Sequence, residues 1–283
     1  MELADTVQHM LSVGDKPTDQ WRVTVSIPPT EVAGAQGASP PFPALYLVDG
    51  WLTFVIAAQI AQATLAFSLG QLRPVVVVGI SPDTDDRGQL SAQHIADLTP
   101  TSYVPAHLQG RTPYGTGGAG ATLDLICNVI APHLESTYPL DPSERGLGGI
   151  SLGGMFTCWT LLTRPEAFRR YLAVSPSLYW DDDLLLDELR LPAADAGHRD
   201  VYLAVGEREA DGARQWPVVP AEMLAAAAGI DLVTGVARFA DRLGRCRDVE
   251  VRTEVIPDEQ HATIWPGAFT RGLVHLYRTD RQT

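Results

Sequence analysis

The stretch Gly149-Ile150-Ser151-Leu152-Gly153, with Gly154 behind it, sets a serine between glycines in the pattern G-x-S-x-G. A strand-like run from Arg145 to Ile150 enters it and a helical run from Leu152 to Leu162 leaves it, the context a nucleophile elbow requires. Such a turn strains the serine backbone, so the neighbouring residues must be too small to clash. It also lifts the hydroxyl to the C-terminal edge of a sheet, beside a helix N-terminus whose dipole and free N–H groups favour an oxyanion. The chemistry this spacing offers is attack by Ser151 on a carbonyl carbon.

A serine nucleophile needs a base. The chain has seven histidines. His9 precedes the first strand candidate, His94 and His107 fall in a long loop, and His133 lies on a helix before the nucleophile. His198 precedes a strand, at the wrong edge of a sheet, and His275 sits among apolar residues of the last helix. His261 follows the last predicted strand, at the edge that carries Ser151, and is the expected base. The order serine, acid, histidine then places the acid between them. The segment Gly206-Glu207-Arg208-Glu209-Ala210-Asp211 follows a predicted strand. Glu209 stands far enough past the glycine for the chain to turn back over the sheet edge and is preferred, with Glu207 and Asp211 as alternatives. The expected oxyanion donors are the N–H of Leu152 and, after Asp49-Gly50, the N–H of Trp51.

The elements that must position these residues alternate. Strands are predicted at Trp21 to Ile27, Ala44 to Val48, Pro74 to Ile80, Arg145 to Ile150, Tyr171 to Val174, Val201 to Val205 and Val249 to Ile256. Helices are predicted at Thr53 to Leu69, Ala121 to Tyr138, Leu152 to Leu162, near Asp182 to Leu189, over Val219 to Leu243 and at Ala268 to Tyr277. Pro28 to Pro43 reads as a loop. Four consecutive valines in Pro74 to Ile80 suit a strand buried on both faces. Strands alternating with helices specify an α/β fold, a mostly parallel central sheet with helices on both faces. The whole chain, 1–283, reads as one domain. Ser81 to Gly120 reads as a long irregular segment, and a loop of that length is expected to be a lid or pocket wall.

The formal net charge of −13 repels phosphate backbones and anionic headgroups, so neither nucleic acid nor membrane is an expected partner. Three cysteines, Cys127, Cys158 and Cys246, form no disulfide framework and no metal-ligand spacing. The apolar stretch Leu52 to Leu69 reads as a buried helix rather than a membrane span. Met1 to Lys16 has no basic head followed by an apolar run, which gives the expectation of a cytoplasmic protein.

Several segments together resemble a known family: Leu45-Tyr46-Leu47-Val48-Asp49-Gly50, Val78-Gly79-Ile80, Asp97-Leu98-Thr99-Pro100, Gly149 to Gly154, Ser175-Pro176-Ser177-Leu178-Tyr179-Trp180 and the late His261. From about Trp21 to about Tyr277 the chain is similar to the esterase family of the α/β-hydrolase superfamily that includes esterase D-like enzymes and enterobactin-type trilactone esterases. The resemblance implies an α/β-hydrolase fold, no cofactor, and ester hydrolysis through Ser151 and His261. Some members work as a Ser-His pair, which leaves the acid open.

The siderophore esterases resembled here carry an arginine close after the Asp-Gly loop. In this chain Trp51-Leu52-Thr53 follows, and the next arginine is Arg73. The expected substrate is therefore a small to medium carboxylic ester with an apolar or aromatic part, bound by Tyr103, Tyr179 and Trp180. A siderophore trilactone, acyl transfer on the same scaffold, and a catalytically dead binding protein are the alternatives.

Overall fold

The computed structural model describes residues 5–15, 17–35, 37–187, 197–212 and 228–279. Its strands are β1 (Thr6–Ser12), β2 (Gln20–Ser26), β3 (Phe42–Val48), β4 (Val76–Pro82), β5 (Leu140–Ile150), β6 (Arg170–Val174), β7 (Arg199–Gly206) and β8 (Val249–Ile256). They form one eight-stranded sheet in the order β1-β2-β4-β3-β5-β6-β7-β8. β1 and β2 run antiparallel to their neighbours, and every pair from β4 through β8 is parallel.

Period-two alternation sends each parallel strand's side chains to two separate cores. Tyr46 and Val48 of β3, Tyr171 and Ala173 of β6, and Val201, Leu203 and Val205 of β7 face one core. Leu45 and Leu47, Leu172 and Val174, and Tyr202 and Ala204 face the other. Burial on both sides explains why these strands read as near-continuous apolar runs.

The helices are α1 (Thr30–Ala35), α2 (Gly50–Phe67), α3 (Arg87–Leu98), α4 (Ala119–Leu125), α5 (Ala131–Thr137), α6 (Leu152–Thr163), α7 (Trp180–Asp187), α8 (Leu232–Leu243) and α9 (Ile264–Tyr277). A π-helical stretch, Ile126–Ile130, joins α4 to α5. α2 and α9 cover one face of the sheet, while α4, α6 and α8 belong to the opposite core. α2 has the length and apolar composition of a membrane span, but it packs on β4 and α9, burying Phe54, Ala57, Ala58, Ala61 and Leu65.

Several sequence expectations are corrected. An edge strand, β1, precedes the first expected strand; it mixes the exposed Val7 and Met10 with polar residues and shows no regular alternation to read. Pro28 to Pro43 contains the short helix α1. Ser81 to Gly120 is not irregular throughout, because α3 occupies Arg87–Leu98. The signal for α3 is local: the Asp86 carboxylate caps Gly88 and Gln89 N–H, and Leu90, Ile95 and Leu98 follow at helical spacing. Of the helical region Val219 to Leu243, residues 219–227 lie outside the described residues, as do 188 and 189 of the expected helix near Asp182. α7 opens on Asp181, Asp182 and Asp183, all left-handed.

Candidate active site

Ser151 joins β5 to α6 at φ 60°, ψ −119°, a region that costs a non-glycine residue on the order of 1–3 kcal/mol and survives only where the surroundings impose it. The surroundings do impose it. A Cβ on Gly149 would lie 2.6 Å from the backbone carbon of Gly153, and one on Gly154 would lie 2.8 Å from the carbonyl oxygen of Val174. The Ser151 N–H donates to Val174 O at 3.0 Å, tying the turn to β6. The Leu152 N–H has no acceptor among the described residues, as expected for the first turn of α6.

The acid and the histidine come from the loops after β7 and β8. Gly206 ends β7, and a Cβ there would sit 2.4 Å from Glu259 O, so only glycine lets the two loops cross this closely. Glu209, fully buried in a 3-10 turn, sends Oε1 to His261 Nδ1 at 2.6 Å. Its Oε2 accepts from Ser175 Oγ at 2.5 Å and from Gly206 N–H at 2.8 Å. Three partners thus satisfy a side chain that has no access to water. Glu207 is exposed and instead accepts the Asp258 N–H at 3.0 Å. The structure brings Glu209 to His261, while Glu207 turns to the Asp258 backbone.

Ser151 and His261 line one cavity of about 790 Å³. Among the described residues no hydrogen bond joins them; Ser151 Oγ lies 3.5 Å from Ser177 Oγ. Trp51 and Leu152 also line the cavity. Gly50 allows the Trp51 loop to press on β4, because a Cβ there would lie 2.7 Å from the backbone of Gly79.

Of the three aromatic residues expected in the pocket, Tyr179 lines it and the other two do not. Trp180 is 1% exposed, donates its indole N–H to Thr101 Oγ1 at 3.0 Å, and meets Tyr103 edge to face at 5.6 Å. Tyr103 and Trp180 therefore anchor the segment after α3 to α7, a packing role that apolar aromatics fill more often than ligand contact. The segment 81–120 contributes Ser91, His94, Ile95, Leu108 and Arg111 to the cavity wall.

Sequence reasoning misses His94 and Arg111. His94 reads as a loop residue, but it stands on α3 with Nδ1 2.8 Å from Asp49 Oδ1. Burial alone would lower its pKa; the charge and hydrogen bond of Asp49, with Asp97, outweigh that and raise it. Asp97 is pushed up to about 7 by burial and by the Asp49 charge, against the pull of His94. Arg111 makes no ion pair among the described residues, so the cavity does hold a cation, supplied by the segment after α3 rather than by the Asp-Gly loop. Only the packing of α3 against α6 and β4 brings His94 to the cavity that Ser151 lines.

A sheet of this order, with a strained serine after the fifth strand and a histidine–carboxylate pair from the loops after the seventh and eighth, defines an α/β-hydrolase. The chain belongs to the esterase family described as "Putative esterase", which it matches over residues 18–234. It is 32% identical over 176 residues to the ferri-bacillibactin esterase BesA of Bacillus subtilis, a match covering 59% of this chain and 60% of that protein. It is 29% identical over 217 residues to the siderophore enterobactin esterase of Emericella nidulans, covering 73% of this chain and 69% of that one. The fold superposes on the siderophore hydrolase EstB from Aspergillus nidulans with a TM-score of 0.78 at 23% identity, covering 100% of this chain and 97% of that one.

Proposed function

We propose that this protein is a serine esterase that cleaves the ester bonds of a siderophore-type small molecule. The observation that carries the reading is the convergence of Ser151, in its strained elbow, and the Glu209-backed His261 on one cavity. Ser151 Oγ attacks the ester carbonyl as His261 Nε2 takes its proton. Glu209 holds the imidazole through Nδ1 and stabilises the imidazolium. The N–H groups of Leu152 and Trp51 receive the oxyanion. The imidazolium then protonates the departing alkoxide, and water, activated by the same histidine, releases the acid from Ser151. The Ser151–His261 hydrogen bond closes when the carbonyl enters, since such contacts tighten in the substrate complex.

For the substrate, the relatives named for siderophore esters and the Arg111 guanidinium on the cavity wall favour an anionic, multi-ester ligand over a plain apolar ester. The apolar wall of Trp51, Leu52, Ile56 and Trp265 suits the aromatic rings of a catecholate. Free cysteines at positions 127, 158 and 246 fit a reducing compartment, and we place the enzyme in the cytoplasm.

The test is hydrolysis of a tricatecholate trilactone, free and iron-loaded, beside p-nitrophenyl esters of rising chain length, for the native protein and Ser151→Ala. Trilactone cleavage that disappears in Ser151→Ala is expected. Turnover of simple esters with no trilactone cleavage would sink the siderophore assignment, and equal activity in Ser151→Ala would sink the serine mechanism.

A further inference from the structure

An aspartate at a helix N-cap ordinarily turns its carboxylate onto the N–H groups two or three residues on, as Asp86 does for α3. Asp49, the N-cap of α2, does not: its side chain caps nothing. Its backbone is left-handed, φ 56° and ψ 44°, and the Leu52 and Thr53 N–H groups bond to its carbonyl oxygen at 2.8 and 2.9 Å. The carboxylate is turned to α3, where His94 Nδ1 meets Oδ1 at 2.8 Å. Oδ2 is buried without a partner among the described residues, and a Cβ on Gly153 would lie 3.1 Å from it. Asp49 therefore touches α3, the N-terminus of α2 and the first turn of α6 at once. The Trp51 N–H, two residues away, has no acceptor among the described residues.

We propose that His94 is a positioning residue that, by holding the Asp49 carboxylate away from the N-terminus of α2, keeps the Trp51 N–H open for the oxyanion of the reaction. The inference rests on the esterase reading above. The physical reason is competition for one carboxylate. A buried carboxylate without a counter-charge is expensive and moves to whatever donors lie within reach. Asp49 has two choices: the imidazole of His94, or the free N–H groups and positive dipole end of its own helix. The second choice is the usual N-cap and would occupy the donor that the reaction needs. His94 wins because its charge is favoured there. Asp49 and Asp97 both support the imidazolium, against burial and the repulsion of Arg111.

The arrangement is unlike the Glu209–His261 pair, although both join an imidazole Nδ1 to a buried carboxylate on the same cavity. In that pair the carboxylate serves the histidine, whereas here the histidine serves the carboxylate. The two pairs thus differ in which member can be removed. Loss of His94 releases the carboxylate to block the donor; loss of the carboxylate leaves nothing to withhold.

The experiment measures the rate at which a fluorophosphonate labels Ser151, together with kcat and KM for p-nitrophenyl acetate. The probe's adduct places an oxygen among the same donors, so its rate reads them without reference to the natural substrate. Four proteins are compared with the native one: His94→Leu, His94→Gln, Asp49→Gly, which fits the left-handed backbone, and the double variant. His94→Leu is expected to slow labelling and kcat by about 100-fold, the lower end of what one lost oxyanion donor costs, with KM little changed. His94→Gln, which keeps a donor, recovers part of the rate. Asp49→Gly loses less than His94→Leu, and the double variant is faster than His94→Leu alone. Native rates in His94→Leu, or a double variant no faster than it, overturn the proposal. If His94→Leu does not fold, Asp49→Gly and His94→Gln decide: labelling in Asp49→Gly slowed by as much as about 100-fold with His94→Gln unaffected overturns it. A native protein that the probe does not label refutes the esterase reading instead.

Discussion

Glu209 and His261, 52 residues apart in the chain, share a 2.6 Å hydrogen bond beneath the cavity that Ser151 faces. Glu209→Gln keeps the shape but removes the charge that stabilises the imidazolium. Turnover is expected to fall by about 10²- to 10⁴-fold, with KM little changed. Glu207→Gln, by contrast, removes only an exposed acceptor and retains near-native turnover. Steady-state kinetics on both variants checks the assignment; near-native turnover in Glu209→Gln would leave a Ser-His pair without its acid.

Gly206→Ala tests how that pair is held. The added methyl would lie 2.4 Å from Glu259 O, so the His261 loop must move away from Glu209. Overpacking of this kind costs about 1–3 kcal/mol. Activity should fall by more than the stability loss explains, because the protein remains folded while the histidine is misplaced. A melting curve and an activity assay at a temperature well below the transition separate the two effects. A variant with native activity would show that the loops can separate without cost to the pair.

Arg111→Gln addresses the substrate. The guanidinium lines the cavity and makes no ion pair among the described residues. Its loss should raise KM for an anionic catecholate ester by about 5- to 30-fold, an ion-pair contribution of roughly 1–2 kcal/mol. KM for a neutral p-nitrophenyl ester should stay the same. Added salt should weaken the native protein's affinity for the anionic ester and leave the variant's nearly flat. Equal effects on both esters would assign Arg111 to the shape of the segment after α3 rather than to charge recognition.

Asp97 gives a pH signature in stability. Its carboxyl is raised from the ordinary value of 3.8 to about 7 by burial and by Asp49. Between those values the folded chain binds more protons than the unfolded chain, so this group lowers stability as pH rises from about 4 to about 7, and the loss is complete above that. Asp97→Asn removes the ionisation. It should raise the melting temperature near pH 8 and change it little near pH 4. A tenfold difference in proton affinity between the folded and unfolded chains corresponds to about 1.4 kcal/mol, so the gain is a few kcal/mol at most. Equal melting temperatures for the two proteins near pH 8 would contradict a raised Asp97.

The elbow serine, Ser151, and the histidine paired with Glu209, His261, are legible because local rules fix them. The elbow needs Gly149, Gly153 and Gly154 at set distances from Ser151, and a strand must precede it. His261 follows from chain order and from the edge of the sheet to which the last strand runs. The strand pattern is equally legible, since parallel strands buried on two faces are apolar throughout. Choosing Glu209 over Glu207 and Asp211 is a preference from spacing that only the packing of one loop on another could decide, through Gly206 against Glu259.

Residues whose partners are remote in the chain are not legible. Trp180 and Tyr103 carry the composition of a pocket, but a buried indole bonded to Thr101 shows that they fix a segment in place. His94 and Arg111 belong to a stretch whose local signs, the Asp86 cap and the apolar residues of α3, do not say what it packs against. The sequence by itself determined β2 through β8 and the helices between them apart from α1 and α3, the serine turn and the histidine after β8, because each depends on near neighbours and on periodicity. The tertiary structure alone decided which carboxylate backs His261, which aromatic residues reach the cavity, and that His94 meets Asp49. Those depend on how loops and helices from distant parts of the chain cross one another, and no local pattern encodes that distance.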